Sequence, residues 1–141
     1  FRSITSHARD LVHRFDVRTT DVDKEIGDLS GGNQQKVVVA RELYRRPRFL
    51  LVNQPTRGID VGATEFVLQQ LLAQRDAGVG ILLISTELEE IFAVADRILV
   101  MYEGQIVGEL PADRSRLEEV GLMMAGKTAS HTGEPPAPSV R

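Results

Sequence analysis

The residues with the clearest chemical potential are Ser30, Gly31 and Gly32, which precede a run of helical composition, Val37 to Leu43. Ser30 carries the short hydroxyl that suits a helix N-cap, where it accepts from an orphan backbone N–H of the first turn. Gly31 and Gly32 remove the side chains that would keep a ligand away from the backbone. Exposed N–H groups at the positive end of a helix dipole make a place for an anion, above all a phosphate. The competing reading is an ordinary capped helix after a glycine turn, and three residues do not decide between them. A second candidate stretch is Asn53-Gln54-Pro55-Thr56-Arg57-Gly58-Ile59-Asp60, which follows the short apolar run Phe49 to Val52. Such a run fits a strand of a parallel sheet buried on both faces, and ligand chemistry in α/β proteins sits beyond the carboxyl ends of such strands.

Composition narrows the classes. The chain has 141 residues, enough for one domain or a piece of one. A net charge of −3, with two Tyr and five Phe, gives neither a basic footprint nor many stacking platforms, so nucleic acid is not an expected partner. Cysteine is absent, which removes disulfides and thiolate metal sites. No apolar run approaches the roughly 20 residues of a membrane span. The start at Phe1, without an initiator Met or a signal-peptide pattern, reads as a fragment of a longer chain.

The elements that must position these residues follow in order. Ile4, Ala8, Leu11, Val12 and Phe15 fall near helical spacing, so residues 4–15 read as an amphipathic helix. His7 and His13 lie on or beside it without a third ligand, and read as solvated histidines. Residues 17–28 are polar and aperiodic, a connecting loop. A helix from Gly32 or Asn33 to about Tyr44 must stop before Pro47. Asp60 can cap a helix from Val61 to about Asp76, with Phe66, Val67, Leu71 and Leu72 near a 3.6-residue period. Ile81 to Ser85 is a second buried-strand candidate, Glu87 to Ala95 a helix, and Ile98 to Met101 a third strand. Glu103-Gly104 turns that strand into a hairpin over residues 105–110. A last helix, about Arg114 to Ala125, ends at Gly126, and the Pro-rich remainder, residues 127–141, reads as a disordered tail. This alternation predicts an α/β architecture with a mainly parallel sheet flanked by helices and a C-terminal β-hairpin.

The order of these pieces resembles the C-terminal part of an ABC-transporter nucleotide-binding domain, a P-loop NTPase-like fold. Leu29 to Lys36 resembles the family's signature loop, in the Asn-Gln-Gln-Lys form of ATPase subunits that import sugars and nucleosides. Phe49 to Gln54 matches the Walker B strand, Thr56 to Asp60 the D-loop, and Ile84 to Glu87 the switch position. Asp96-Arg97-Ile98 and Tyr102 to Ile106 match the strand and hairpin that follow. The resemblance implies that residues 1–28 end a helical subdomain, that 29–126 form the C-terminal part of the nucleotide-binding domain, and that 127–141 are the tail.

Departures from the family pattern are informative. Active members end the Walker B strand in Asp-Glu, one carboxylate for Mg²⁺ and one to polarise the attacking water. Here Asn53 and Gln54 stand in those places, and Thr86 stands where the family has its switch His. An amide brings no charge to the metal and is no useful base near neutral pH; loss of a general base costs on the order of 10²- to 10⁴-fold in rate. The Gly-Lys-Ser/Thr loop of Walker A does not occur in these residues. No intact catalytic set or metal ligand set is therefore expected in this chain.

ABC domains work as head-to-tail pairs that sandwich ATP. The resemblance thus implies that Ser30, Gly31, Gly32, Asn33 and Gln34 face the γ-phosphate of ATP in trans. Gly58 and Asp60 would carry the D-loop crossing, while ATP and Mg²⁺ are held mainly by a first nucleotide-binding domain. Transmembrane permease subunits would be the other partners, at the cytoplasmic face of the membrane. The fragment alone is expected to be inactive. Nucleosides are the favoured substrate class and simple sugars the second. A regulatory or assembly module that has lost ATP chemistry is the alternative function.

Overall fold

The structure, a computed structural model, describes residues 2–127. The sequence reading of residues 128–141 as a tail lies outside the described residues. The chain divides after Glu90 into two compact units.

The first unit opens with α1 (Arg2–Arg14), followed by a loop containing a 3₁₀ turn (Ile26–Asp28), then α2 (Gly31–Tyr44) and β1 (Phe49–Asn53). After the 53–60 loop come α3 (Val61–Asp76) and β2 (Gly80–Ile84). Phe15 and Val17, just past α1, are buried with Ala40 of α2, and Leu11, Val12, Val37 and Phe66 pack around them. The apolar stripe of α1 is therefore completed by residues beyond the helix end. Asp16 between them takes a positive φ of 47° and turns the chain so that both neighbours point inward. In α3 the buried residues are Ala63, Val67 and Leu71, spaced by four, which places a single stripe against the unit's core. Gly78, at φ 85°, ends α3 with Val79 N–H donating to the Gln74 carbonyl and Gly78 N–H to that of Arg75.

Strands β1 and β2 pair in parallel, Phe49 opposite Gly80 through Asn53 opposite Ile84. Burial on both faces, expected from the continuous apolar runs, is not what the described residues provide. Phe49, Leu51, Leu82 and Ile84 share one face and are 59%, 64%, 47% and 47% exposed. Alternate residues Leu50, Val52, Ile81 and Leu83 are half-buried. A two-stranded ribbon has two faces to cover, and the described residues cover only one of them. The runs record apolar demand on both sides without naming the second layer.

The second unit begins within α4 (Leu88–Val94) and continues through β3 (Arg97–Tyr102), β4 (Gln105–Pro111), a 3₁₀ turn (Arg114–Arg116) and α5 (Leu117–Met124). Phe92, Ile98, Val100, Leu110 and Val120 form its buried interior. The third strand pairs with its neighbour in the hairpin expected at Glu103-Gly104, so the described residues contain one parallel and one antiparallel pair. The cause is local. Glu103 and Gly104 both take positive φ, 47° and 77°, the two-residue turn whose twist suits a hairpin, and Tyr102 closes directly onto Gln105. Gly126, at φ 72°, ends α5 with Lys127 N–H donating to the Leu122 carbonyl.

Candidate functional site

The site is built on the entry to α2. Ser30 is extended (φ −60°, ψ 153°) and its Oγ accepts from the Asn33 backbone N–H at 3.4 Å, the N-cap that the sequence predicts. The Gln34 N–H is taken up by the Ser30 carbonyl at 2.9 Å. Gly31 and Gly32 occupy the first two helical positions, whose N–H groups have no acceptor within a helix. Ser30 and Gly31 are exposed at this end.

The amide side chains beside the loop face the chain itself. Asn33 Oδ1 accepts from Arg18 N–H at 2.8 Å, and Asn33 Nδ2 donates to Ser30 Oγ at 2.9 Å. Gln34 Nε2 donates to the Leu29 carbonyl at 2.9 Å. Both amides shape the turn into α2, and Ser30 and Gly31 are the exposed residues at its tip.

Gly32 is buried because another loop lies against it. A Cβ built there falls 2.8 Å from the Ala63 Cβ and 2.9 Å from Asp60 Oδ2. One at Gly31 meets only the Gly58 carbonyl, at 3.7 Å. The glycine turn and the 58–60 stretch are thus in contact within this chain. Asp60 caps α3, its Oδ1 accepting from Ala63 N–H at 2.9 Å, as expected from its position. Gly58 reaches φ 75°, which a residue with a side chain adopts only with strain.

Asn53, Gln54 and Thr86 lie at the carboxyl ends of the parallel pair. Asn53 is opposite Ile84, and Gln54 N–H donates to the Ile84 carbonyl at 2.8 Å, so β1 and β2 finish together with Thr86 two residues on. Gln54 takes φ 48°, a left-handed conformation uncommon for a residue with a side chain. Asn53 and Thr86 are exposed and Gln54 half-buried. As a donor set the three contribute amide and hydroxyl oxygens without a carboxylate. That set does not fit a bound Mg²⁺, which is usually held through one or two carboxylates and substrate phosphates.

Three contacts at the site had no sequence signal. Lys36 is buried on α2; its Nζ donates to Asp16 Oδ2 at 2.7 Å and to the Asp16 carbonyl at 2.9 Å, and sits 4.8 Å from the Phe66 ring centre. The Lys36 hydrogen bond and charge hold the Asp16 carboxyl below its ordinary value, with Arg18 adding to the effect against slight desolvation. Thr56, buried beyond β1, donates through Oγ1 to Glu90 Oε2 at 2.5 Å, tying the 53–60 loop to the last residue of the first unit. His7, read as a solvated histidine, lies with its ring 4.5 Å from that of Tyr44. Both belong to a largely apolar groove of about 300 Å³ that Leu11, Val22, Ile26 and Val37 also line.

The chain is similar to known proteins over most of its length. A family model described as ABC transporter matches residues 2–57. Over 127 residues the chain is 49% identical to a guanosine import ATP-binding protein of Bacillus subtilis (strain 168), covering 90% of this chain and 25% of that protein. It is 48% identical over 128 residues to a glucose import ATP-binding protein of Haloferax volcanii, covering 89% of this chain and 23% of that protein. Among solved structures, an ATP-binding subunit of an ABC transporter matches with a TM-score of 0.69 at 21% identity, over 82% of this chain and 52% of that one. At that identity the likeness speaks for the fold alone. The chain spans about a quarter of the length of the curated relatives it matches. The chain thus carries part of a P-loop NTPase fold of the ABC ATPase cassette kind, and over about nine-tenths of its length it is similar to import ATP-binding proteins.

Proposed function

We propose that this chain is part of the ATP-binding component of an ABC importer and that it contributes one half of an ATP site. The observation that carries this reading is the entry to α2, where Ser30 caps the helix and, with Gly31, is exposed at its N-terminus, while Gly32 packs against the 58–60 stretch. That arrangement recognises a phosphate through donors alone, without a positive side chain. The phosphates of the same nucleotide need a second cradle, which the first nucleotide-binding domain of the longer polypeptide would supply together with Mg²⁺. Ser30, Gly31 and Gly32 then close on the γ-phosphate in trans. Gly58 and Asp60, packed against the glycine turn, carry the crossing between sites.

The chain's own strand ends support the other half of the proposal. With Asn53, Gln54 and Thr86 in the places of carboxylates and a histidine, its own site binds nucleotide without efficient turnover. Residues 29–126 act as the C-terminal part of the second nucleotide-binding domain and 1–28 as the end of its helical subdomain. The remaining partners are transmembrane permease subunits, which place the assembly at the cytoplasmic membrane face. No helix among the described residues is long and apolar enough to cross a membrane. Relatives named for guanosine and for glucose match at nearly equal identity. We propose nucleosides as the transported class, with sugars second, since the run of neutral residues before Pro55 is closer to nucleoside-type importers.

Ser30→Arg in the full-length transporter tests the reading. A guanidinium in place of the hydroxyl fills the space meant for the γ-phosphate, and transport-coupled hydrolysis is expected to fall to background. Unchanged hydrolysis would leave the alternative, a regulatory or assembly module without ATP chemistry.

A further inference from the structure

We infer that Asn33 is a positioning residue that fixes the polarity of the Ser30 hydroxyl, making it a donor toward the phosphate rather than an acceptor. This inference rests on the proposed trans role of Ser30. Its starting point is a group whose polarity cannot change, the backbone N–H of Arg18, which donates to the Asn33 side chain at 2.8 Å. The atom it meets must be the amide oxygen, so the other terminus of Asn33 is the NH₂. That NH₂ lies 2.9 Å from Ser30 Oγ, which must therefore accept. Ser30 Oγ also accepts from the Asn33 backbone N–H at 3.4 Å. A hydroxyl oxygen has two lone pairs and one proton. With both lone pairs engaged by Asn33, the proton is the hydroxyl's remaining hydrogen-bonding capacity, on a residue that is exposed.

A phosphate oxygen accepts and does not donate near neutral pH, so a hydroxyl free to rotate spends part of its time offering it a lone pair. Asn33 removes that option before the nucleotide arrives. Such preorganisation adds no reorganisation cost at the reacting geometry. The relay also reaches outward. Arg18 belongs to the segment in which Asp16 is held by Lys36 and Val17 is buried, so the hydroxyl's orientation is set by how that segment sits on α2.

The test is a double-mutant cycle in the full-length transporter, reading kcat and KM for ATP. Asn33→Asp keeps the shape and still accepts from Arg18 N–H, but its second oxygen accepts the Ser30 proton and reverses the relay. Asn33→Leu removes the amide without adding charge. Ser30→Ala removes the hydroxyl and is expected to lower kcat by about 10²-fold with KM for ATP little changed, as for loss of one preorganised donor. Each Asn33 variant is expected to lower kcat at least tenfold in wild type. On the Ser30→Ala background Asn33→Leu should cost less than twofold, because there is no hydroxyl left to orient. Full additivity of Asn33→Leu and Ser30→Ala would overturn the inference while leaving the trans reading intact. A silent Ser30→Ala would overturn both.

Discussion

At the scale of single residues, the glycine turn divides its labour in a way that composition does not reveal. Gly31 and Gly32 look equivalent in sequence, and both suit close backbone approach to an anion. The structure separates them. Gly31 is open, while Gly32 is buried against Ala63 and Asp60, where a Cβ would lie 2.8 Å and 2.9 Å from its nearest neighbours. Ala63 is fixed on α3 and Asp60 is fixed as its cap, so neither yields easily. Gly32→Ala is therefore expected to destabilise the chain by about 1–3 kcal/mol, the range for overpacking a close contact. Gly31→Ala should stay within about 0.5 kcal/mol. Denaturant unfolding of the two variants side by side checks this, and equal effects would mean that Gly32 is not a packing residue. The N-caps at Ser30 and Asp60 were legible because one short polar side chain before a helical run suffices to specify them. The bonds of Asn33 were not, since its partner Arg18 lies 15 residues earlier in a loop without any period.

At the scale of elements, α2 is held by a strap running from Phe15 to Arg18. Phe15 and Val17 are buried, Asp16 is pinned by Lys36, and Arg18 is bonded to Asn33. The strap fixes the rotation of α2 and therefore the direction of its N-terminus. Its electrostatic part depends on pH with a definite sign. The folded Asp16 titrates below its unfolded value because Lys36 donates to it and lies beside it. The stabilisation is present above the unfolded carboxyl value and is lost as pH falls through the folded one. Lys36→Met keeps chain length and apolar contact with Phe66 but ends this dependence. Wild type should be more stable than Lys36→Met near neutral pH, and the gap should narrow as the solution is acidified below the ordinary carboxylate range. A gap constant with pH, followed by thermal unfolding, would show that the pair contributes nothing. The pair joins residues 20 positions apart, and a lysine among apolar neighbours gave no hint of which carboxylate it met. The hairpin at Glu103-Gly104 was legible for the opposite reason, since its turn chemistry is local.

At the scale of the whole molecule, the described residues leave apolar surface open. The β1–β2 pair leaves Phe49, Leu51, Leu82 and Ile84 exposed on one face. The curated relatives are about four times as long as the matched region. Buried-strand composition announced that a second layer was needed, but only pairing and burial identify which face lacks it. The same scale governs the strand-end chemistry. In the full-length protein, Asn53→Asp with Gln54→Glu is expected to raise hydrolysis at the site proposed to be weak, as restoring a general base is worth on the order of 10²-fold or more. Two sites already turning over at comparable rates in the unaltered protein would contradict its degeneracy.

On the proposed function, the glycine turn before α2 faces a nucleotide held by another domain. Cysteine is absent from this chain, so a single Ser30→Cys places one thiol at the turn. Paired with a second cysteine in the phosphate-binding loop of the first nucleotide-binding domain, it allows a disulfide to report the distance. ATP-dependent cross-linking between Cys substitutions at Ser30 and in that loop is the predicted result, with none to a cysteine in the loop of its own domain. Cross-linking within the domain, or none between domains when ATP is bound, would contradict it.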